Sequence, residues 1–99
     1  MATRLLAKKK VRGGHKPPTC FVYVIGTGAQ SRARTYVGWT VALDQRLARH
    51  NAGTGARSTR GRTWRLLYAE PFRDRRIAMS REWHLKRDRQ LRSALRALL

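Results

Sequence analysis

The chain has few acids, a single cysteine, three prolines and no long apolar run, and each shortage removes a class of protein. Five Asp and Glu stand against twenty-three Lys and Arg in ninety-nine residues, a formal net charge of +18. Chemistry that needs paired carboxylates therefore has almost no candidates. One cysteine, Cys20, cannot form an internal disulfide, and His15, His50 and His84 are scattered without zinc-ligand spacing. That points to a reducing compartment, with a cytoplasmic, nucleoid-associated location as the expectation. Cys20 opens an apolar run, so a small core residue is expected there rather than a nucleophile. No apolar stretch approaches the roughly 20 residues of a membrane span, no secretory h-region is present, and no long basic helix with a broad apolar face suits a membrane surface. No membrane partner is expected.

What the chain has in excess is arginine, which makes up eighteen of the twenty-three basic residues. A field of this sign attracts polyanions, and the planar guanidinium fork grips two phosphate oxygens at once. A nucleic-acid partner follows from charge alone. The length indicates one modest domain.

Residues 1–18 read as a disordered basic arm, with Lys8, Lys9 and Lys10 followed by Gly13-Gly14 and Pro17-Pro18. The same acid-free start would also suit a short organellar presequence. Residues 19–99 form the expected domain. CFVYVIG (20–26) predicts a buried strand with Phe21, Tyr23 and Ile25 on one face and Val22 and Val24 on the other. After the polar turn TGAQSRAR, TYVGW predicts a second strand, paired antiparallel with the first. Tyr36 and Gly38 share a face, so the missing side chain at Gly38 is expected to leave room beside the Tyr36 ring.

Thr40 is placed to cap a helix over VALDQRLARHN, with Asp44 in its opening turns. Leu43 and Leu47 face inward. Arg46 lies about 60° and His50 about 20° from Leu43 around the helix, so both border the buried stripe while Arg49 points away. NAGTGARSTRGR (51–62) is a glycine-punctuated basic loop whose Arg57, Arg60 and Arg62 are spaced to follow a nucleic-acid backbone, or else simply a flexible surface loop. WRLLYAEPF (64–72) predicts a third strand stopped by Pro71. Asp74 caps an expected helix over 75–90, and QLRSALRALL repeats apolar residues at helical spacing and should pack on the sheet. The fold class expected is α+β, sandwich-like: a small three-stranded antiparallel sheet flanked by about three helices.

Gly26-Thr27-Gly28 lacks the third glycine and the following helix of a dinucleotide site, and no Gly-Lys-Ser/Thr sequence ends a P-loop. None of the serines carries the local frame of a hydrolase nucleophile. Among the acids, Glu82 lies at the edge of a stripe made by Ile77, Ala78 and Leu85. It reads either as an i,i+4 ion pair with Lys86 or as a lone metal-binding carboxylate. Phosphodiester chemistry using tyrosine, arginine and one such acid is what the inventory leaves.

FVYVIG, TYVGWT, the helix bearing Arg46 and His50, HNAGTGARSTRGR, WRLLYAE and REWHLKR, in that order, resemble the GIY-YIG nuclease superfamily. The likeness is to small bacterial members related to the catalytic domains of excinucleases and of structure-specific endonucleases, and it covers residues 20 to about 95. It implies Tyr23 as the first-motif tyrosine, Tyr36-Val37-Gly38 as the second motif, Arg46 and His50 as the helix residues, and Glu82 as ligand of one Mg²⁺ or Mn²⁺ ion. Phe21 stands where the first motif has glycine. The polar catalytic residue that some members carry near the C-terminal end has no clear match. The activity implied is single-metal hydrolysis of DNA with a tyrosine base, preferably Tyr23, whose phenolate Arg46, the metal and the positive field would favour. Branched, nicked or single-stranded DNA would be the substrate, in repair or recombination. Arg49, Arg57, Arg60, Arg62 and Lys86 are the expected DNA contacts. The chain would act as a monomer or weak homodimer, with or without an accessory protein. The rival reading is a non-enzymatic basic nucleic-acid-binding module, which explains the charge equally well but not the ordered tyrosines, arginine and glutamate.

Overall fold

A computed structural model of the chain describes residues 17–99, so the arm expected over 1–18 lies almost wholly outside the described residues. Three strands form one antiparallel sheet in the order β2-β1-β3: β1 is Cys20–Thr27, β2 Arg34–Thr40 and β3 Arg65–Phe72. The near-continuous apolar run of β1 has a structural reason, since it is the central strand and is covered on both faces. The helices are α1, Leu43–Ala52, α2, Arg75–Arg87, and α3, Arg89–Arg96. The α+β architecture is the expected one.

The two faces of β1 feed two clusters. Cys20, Val22 and Val24 join Val37, Leu67, Ala78, Leu85 and Leu95 beneath α2 and α3. Tyr23 and Ile25 join Trp64 and Ala69, with Tyr36, Leu43, Leu47 and Leu66 packed against them beneath α1. Cys20 is buried, with Sγ 3.6 Å from the Phe72 carbonyl, in keeping with a core role. Val24 pairs with Tyr68 but Ile25 with Leu66, so Leu67 is an extra residue. This bulge puts Leu67 and Tyr68 on the same face and restores alternation at Ala69.

Four local expectations change. Thr40 does not cap α1; its Oγ1 accepts from the Ala42 N–H at 3.1 Å and tightens the turn before the helix, which starts at Leu43. Pro71 does not stop β3, which continues to Phe72; as an edge strand it has one side without a partner and tolerates the missing N–H. The helix expected over 75–90 breaks at Asp88, whose carboxylate accepts from the Leu91 N–H at 3.0 Å and starts α3. Ile77 is 56% exposed and leaves the buried stripe of α2 to Ala78 and Leu85. Asp74 caps α2 as expected, accepting from the Arg76 N–H at 2.8 Å, and Leu91, Leu95 and Leu99 pack on the sheet side.

Candidate active site

The β1–β2 register sets Tyr23 directly opposite Gly38 and Ile25 opposite Tyr36. A Cβ at Gly38 would lie 2.6 Å from Tyr23 Oη and 2.8 Å from its Cζ, so the space left by this glycine is filled by the Tyr23 ring, not by Tyr36. Above the two strands, α1 presents Arg46 and His50 on successive turns of its inner face. His50 is fully buried while Arg49 is exposed. The helix stops one turn later because Gly53 takes a left-handed conformation (φ 79°) and its N–H caps the Arg49 and His50 carbonyls.

These elements bring together one polar cluster. Tyr23 Oη is 2.7 Å from His50 Nε2 and accepts from Arg46 Nε at 3.3 Å. The Tyr36 ring stands 5.0 Å from the His50 ring and 6.4 Å from that of Tyr23. Glu82 approaches from α2, near enough for its charge to act on the Tyr23 hydroxyl. Its side chain is 22% exposed and its carboxylate lies 3.7 Å from Lys86 Nζ, the i,i+4 pair the sequence allowed.

Burial decides the electrostatics. It pushes Tyr23 up from 10.0 to about 12, and the hydrogen bond and charge of Arg46 offset only part of that. Within the protein alone, Arg46 therefore does not outweigh burial at the Tyr23 hydroxyl. Burial, then the Arg46 charge, holds His50 below its ordinary 6.5, so this imidazole is neutral at pH 7.

Arg57, Arg60 and Arg62 lie on the exposed rim of the loop between α1 and β3. That loop is tied down from within. Asn51 accepts from the Trp64 N–H and donates to the Trp64 carbonyl at 3.0 Å; Trp64 Nε1 donates to the Thr59 carbonyl at 2.8 Å. On the other flank of Arg46 an open cleft of about 410 Å³ is lined by Trp39, Gln45, Arg49 and Arg75, with the Arg75 guanidinium 5.6 Å from the Trp39 ring. Trp39, Arg75 and Thr59 escaped the sequence reading. Nothing in local periodicity marks them, because each reaches the site through tertiary packing.

Glu70 is engaged elsewhere. It accepts from Arg81 Nε at 2.7 Å and from the Tyr68 hydroxyl, pinning β3 to α2. Among the described residues no group of three or more His, Cys, Asp or Glu could hold a metal ion. A lone, partly exposed carboxylate is not the three- or four-ligand set of a structural zinc site. It does suit a hard divalent ion that keeps several waters and takes further oxygens from substrate phosphate. No helix among the described residues is long and apolar enough to cross a membrane.

A three-stranded sheet with two tyrosines facing an Arg–His helix turn, and one carboxylate from the opposite layer, is the arrangement of a small nuclease-type catalytic domain. Residues 19–93 match the GIY-YIG catalytic domain, and the chain belongs to that family. It is 41% identical over 68 residues to a UPF0213 protein of Clostridium perfringens, covering 68% of this chain and 70% of that one. A UPF0213 protein of Pediococcus acidilactici is 43% identical over 70 residues, covering 68% of each. One of Halobacterium salinarum is 44% identical over 66 residues, 66% of this chain and 82% of its own. No solved structure matches the chain significantly.

Proposed function

We propose that the chain is a divalent-metal-dependent DNA endonuclease in which Tyr23 and His50 act together as the base. The observation that carries this reading is the position of Tyr23 Oη, which touches His50 Nε2 and Arg46 Nε at once. With its phenol pushed up to about 12 by burial, Tyr23 keeps its proton in the protein alone. It can pass a proton on. As water attacks phosphorus, its proton moves to Tyr23 Oη while the phenol proton moves to His50 Nε2. The new phosphorus–oxygen bond forms and the bond to the sugar oxygen breaks; that oxygen takes a proton from solvent water, which leaves a 5′-phosphate and a 3′-hydroxyl, and His50 later returns its proton to solvent. Arg46 opposes the charge that builds on the phosphoryl oxygens, and Tyr36 orients water or phosphate beside it. Glu82 would hold the ion, Mg²⁺ or Mn²⁺, which when bound supplies positive charge at the phosphate and the departing oxygen.

Arg49 and Arg75 beside the cleft, and Arg57, Arg60 and Arg62 on the loop, would hold the DNA backbone. Lys86, paired with Glu82, would be released to the substrate when the carboxylate takes the ion. Contacts of this kind carry little base information, so a preference for DNA structure (branched, nicked or single-stranded), in repair or recombination, is the reading that fits.

The test is cleavage of plasmid, branched and single-stranded DNA with and without Mg²⁺ or Mn²⁺, by wild type and Glu82→Ala. Metal-dependent cutting lost in Glu82→Ala is expected. Binding without cutting across the panel would instead favour a non-enzymatic nucleic-acid-binding module, and undiminished cutting by Glu82→Ala would refute the metal assignment.

A further inference from the structure

Thr59 is fully buried in a loop whose neighbouring side chains are exposed. Its Oγ1 lies 2.8 Å from His50 Nδ1 and 2.8 Å from the Ala56 carbonyl oxygen. The loop is shaped for this approach. A Cβ at Gly55 would come 2.6 Å from His50 Nδ1, and the Trp64 indole holds the Thr59 carbonyl at 2.8 Å.

Counting donors against acceptors settles the roles. Carbonyl oxygens only accept, so the Thr59 hydroxyl can donate to Ala56 and its oxygen is left to accept from His50 Nδ1–H. Nε2 is then bare and accepts from the Tyr23 hydroxyl, whose oxygen still accepts from Arg46 Nε. In the opposite arrangement Thr59 donates to Nδ1 and Nε2–H points at Tyr23. The Tyr23 O–H, in a residue only 1% exposed, then has no acceptor among these groups. Only the first arrangement satisfies every donor in the chain Arg46–Tyr23–His50–Thr59–Ala56.

We propose that Thr59 is a positioning residue that fixes the His50 tautomer, so that Nε2 is free to take the Tyr23 proton. The catalytic half of this proposal rests on the nuclease reading above; the tautomer half does not. When Nε2 gains the phenol proton, the imidazolium keeps its Nδ1–H bond to Thr59, so no further proton has to move. The groups facing His50 are Tyr23 from β1, Tyr36 from β2, Arg46 from its own helix, and the uncharged Gly55 and Thr59 from the loop; Arg46 is the one charge among them.

Nitrogen-15 NMR of the His50 ring, assigned with His50→Gln, reads the tautomer without any DNA. Wild type is expected as neutral Nδ1–H at pH 7, and an Nε2–H tautomer there would overturn the proposal. Thr59→Ser should keep the tautomer and the cleavage rate. Thr59→Val should populate Nε2–H, slow cleavage by about 10²-fold or more and alter the acid limb of the pH–rate profile. A folded Thr59→Val with the wild-type tautomer and rate, or a folded Thr59→Ser that behaves as expected for valine, would refute it. If the chain cuts no DNA but His50 is Nδ1–H in wild type and not in Thr59→Val, the tautomer role stands and only the nuclease reading fails.

Discussion

Replacing Gly38 with alanine would put a methyl group where the Tyr23 hydroxyl now lies. The new Cβ would stand 2.6 Å from Oη and 2.8 Å from Cζ, against ordinary contacts of about 3.5–4.0 Å. The overlap is therefore on the order of 1 Å, and neither side can yield freely. Tyr23 is held in the central strand between two partners, and its ring is enclosed by the α1 layer. A tilt of the ring by that amount would carry Oη out of the 2.7 Å bond to His50. Overpacking costs about 1–3 kcal/mol, and stranding a buried hydroxyl and imidazole nitrogen about 1–3 kcal/mol more. The prediction is a loss of about 2–6 kcal/mol, a large share of the roughly 5–15 kcal/mol that holds a domain together. Cleavage should fall about 10²-fold through misplacement of the base. Urea unfolding of wild type, Gly38→Ala, Tyr23→Leu and the double variant measures it. Leucine lacks the Oη and Cζ that meet the methyl group, so the alanine should cost at least about 1 kcal/mol less in that background. A Gly38→Ala protein within about 0.5 kcal/mol of wild type, or an equal cost in both backgrounds, would refute the packing argument.

Cleavage should fall on the acid side through a pKa below 6.5, because His50 must be neutral to accept a proton and burial holds it neutral to lower pH than usual; a pH–rate profile with its acid limb above 6.5 would contradict this. Tyr23 should ionise near pH 12 by ultraviolet absorbance, and a Tyr23→Phe difference spectrum isolates it. Since the fold keeps that proton while the unfolded chain loses it from pH 10.0 upward, stability should drop by up to about 3 kcal/mol as pH rises from 10 to 12. Asn51→Ala removes both side-chain bonds to the Trp64 backbone. It should cost about 1–3 kcal/mol and speed hydrogen exchange at Trp64 while sparing β1 and β2.

Much of this was legible in the chain before folding. The three strands, the helix carrying Arg46 and His50, and the cap at Asp74 follow from alternation, helical spacing and capping chemistry, which act over a few residues. Arg49 and Arg46 separate for the same reason, since an angle around a helix is a local quantity. The cap at Asp88 was less legible, because the apolar spacing runs across it and only the carboxylate's bond to the Leu91 N–H ends one helix and begins another.

The charge, the strand pattern and the ordered motif residues thus came from the sequence by itself, because composition and periodicity are properties of the chain. Tertiary structure alone decided that Tyr23 rather than Tyr36 fills the space at Gly38, since that depends on a cross-strand register. It alone brought Thr59 to His50 across a loop with no periodicity. It also set the balance at Tyr23 within the protein, where removing the phenol from water outweighs the one guanidinium that touches it.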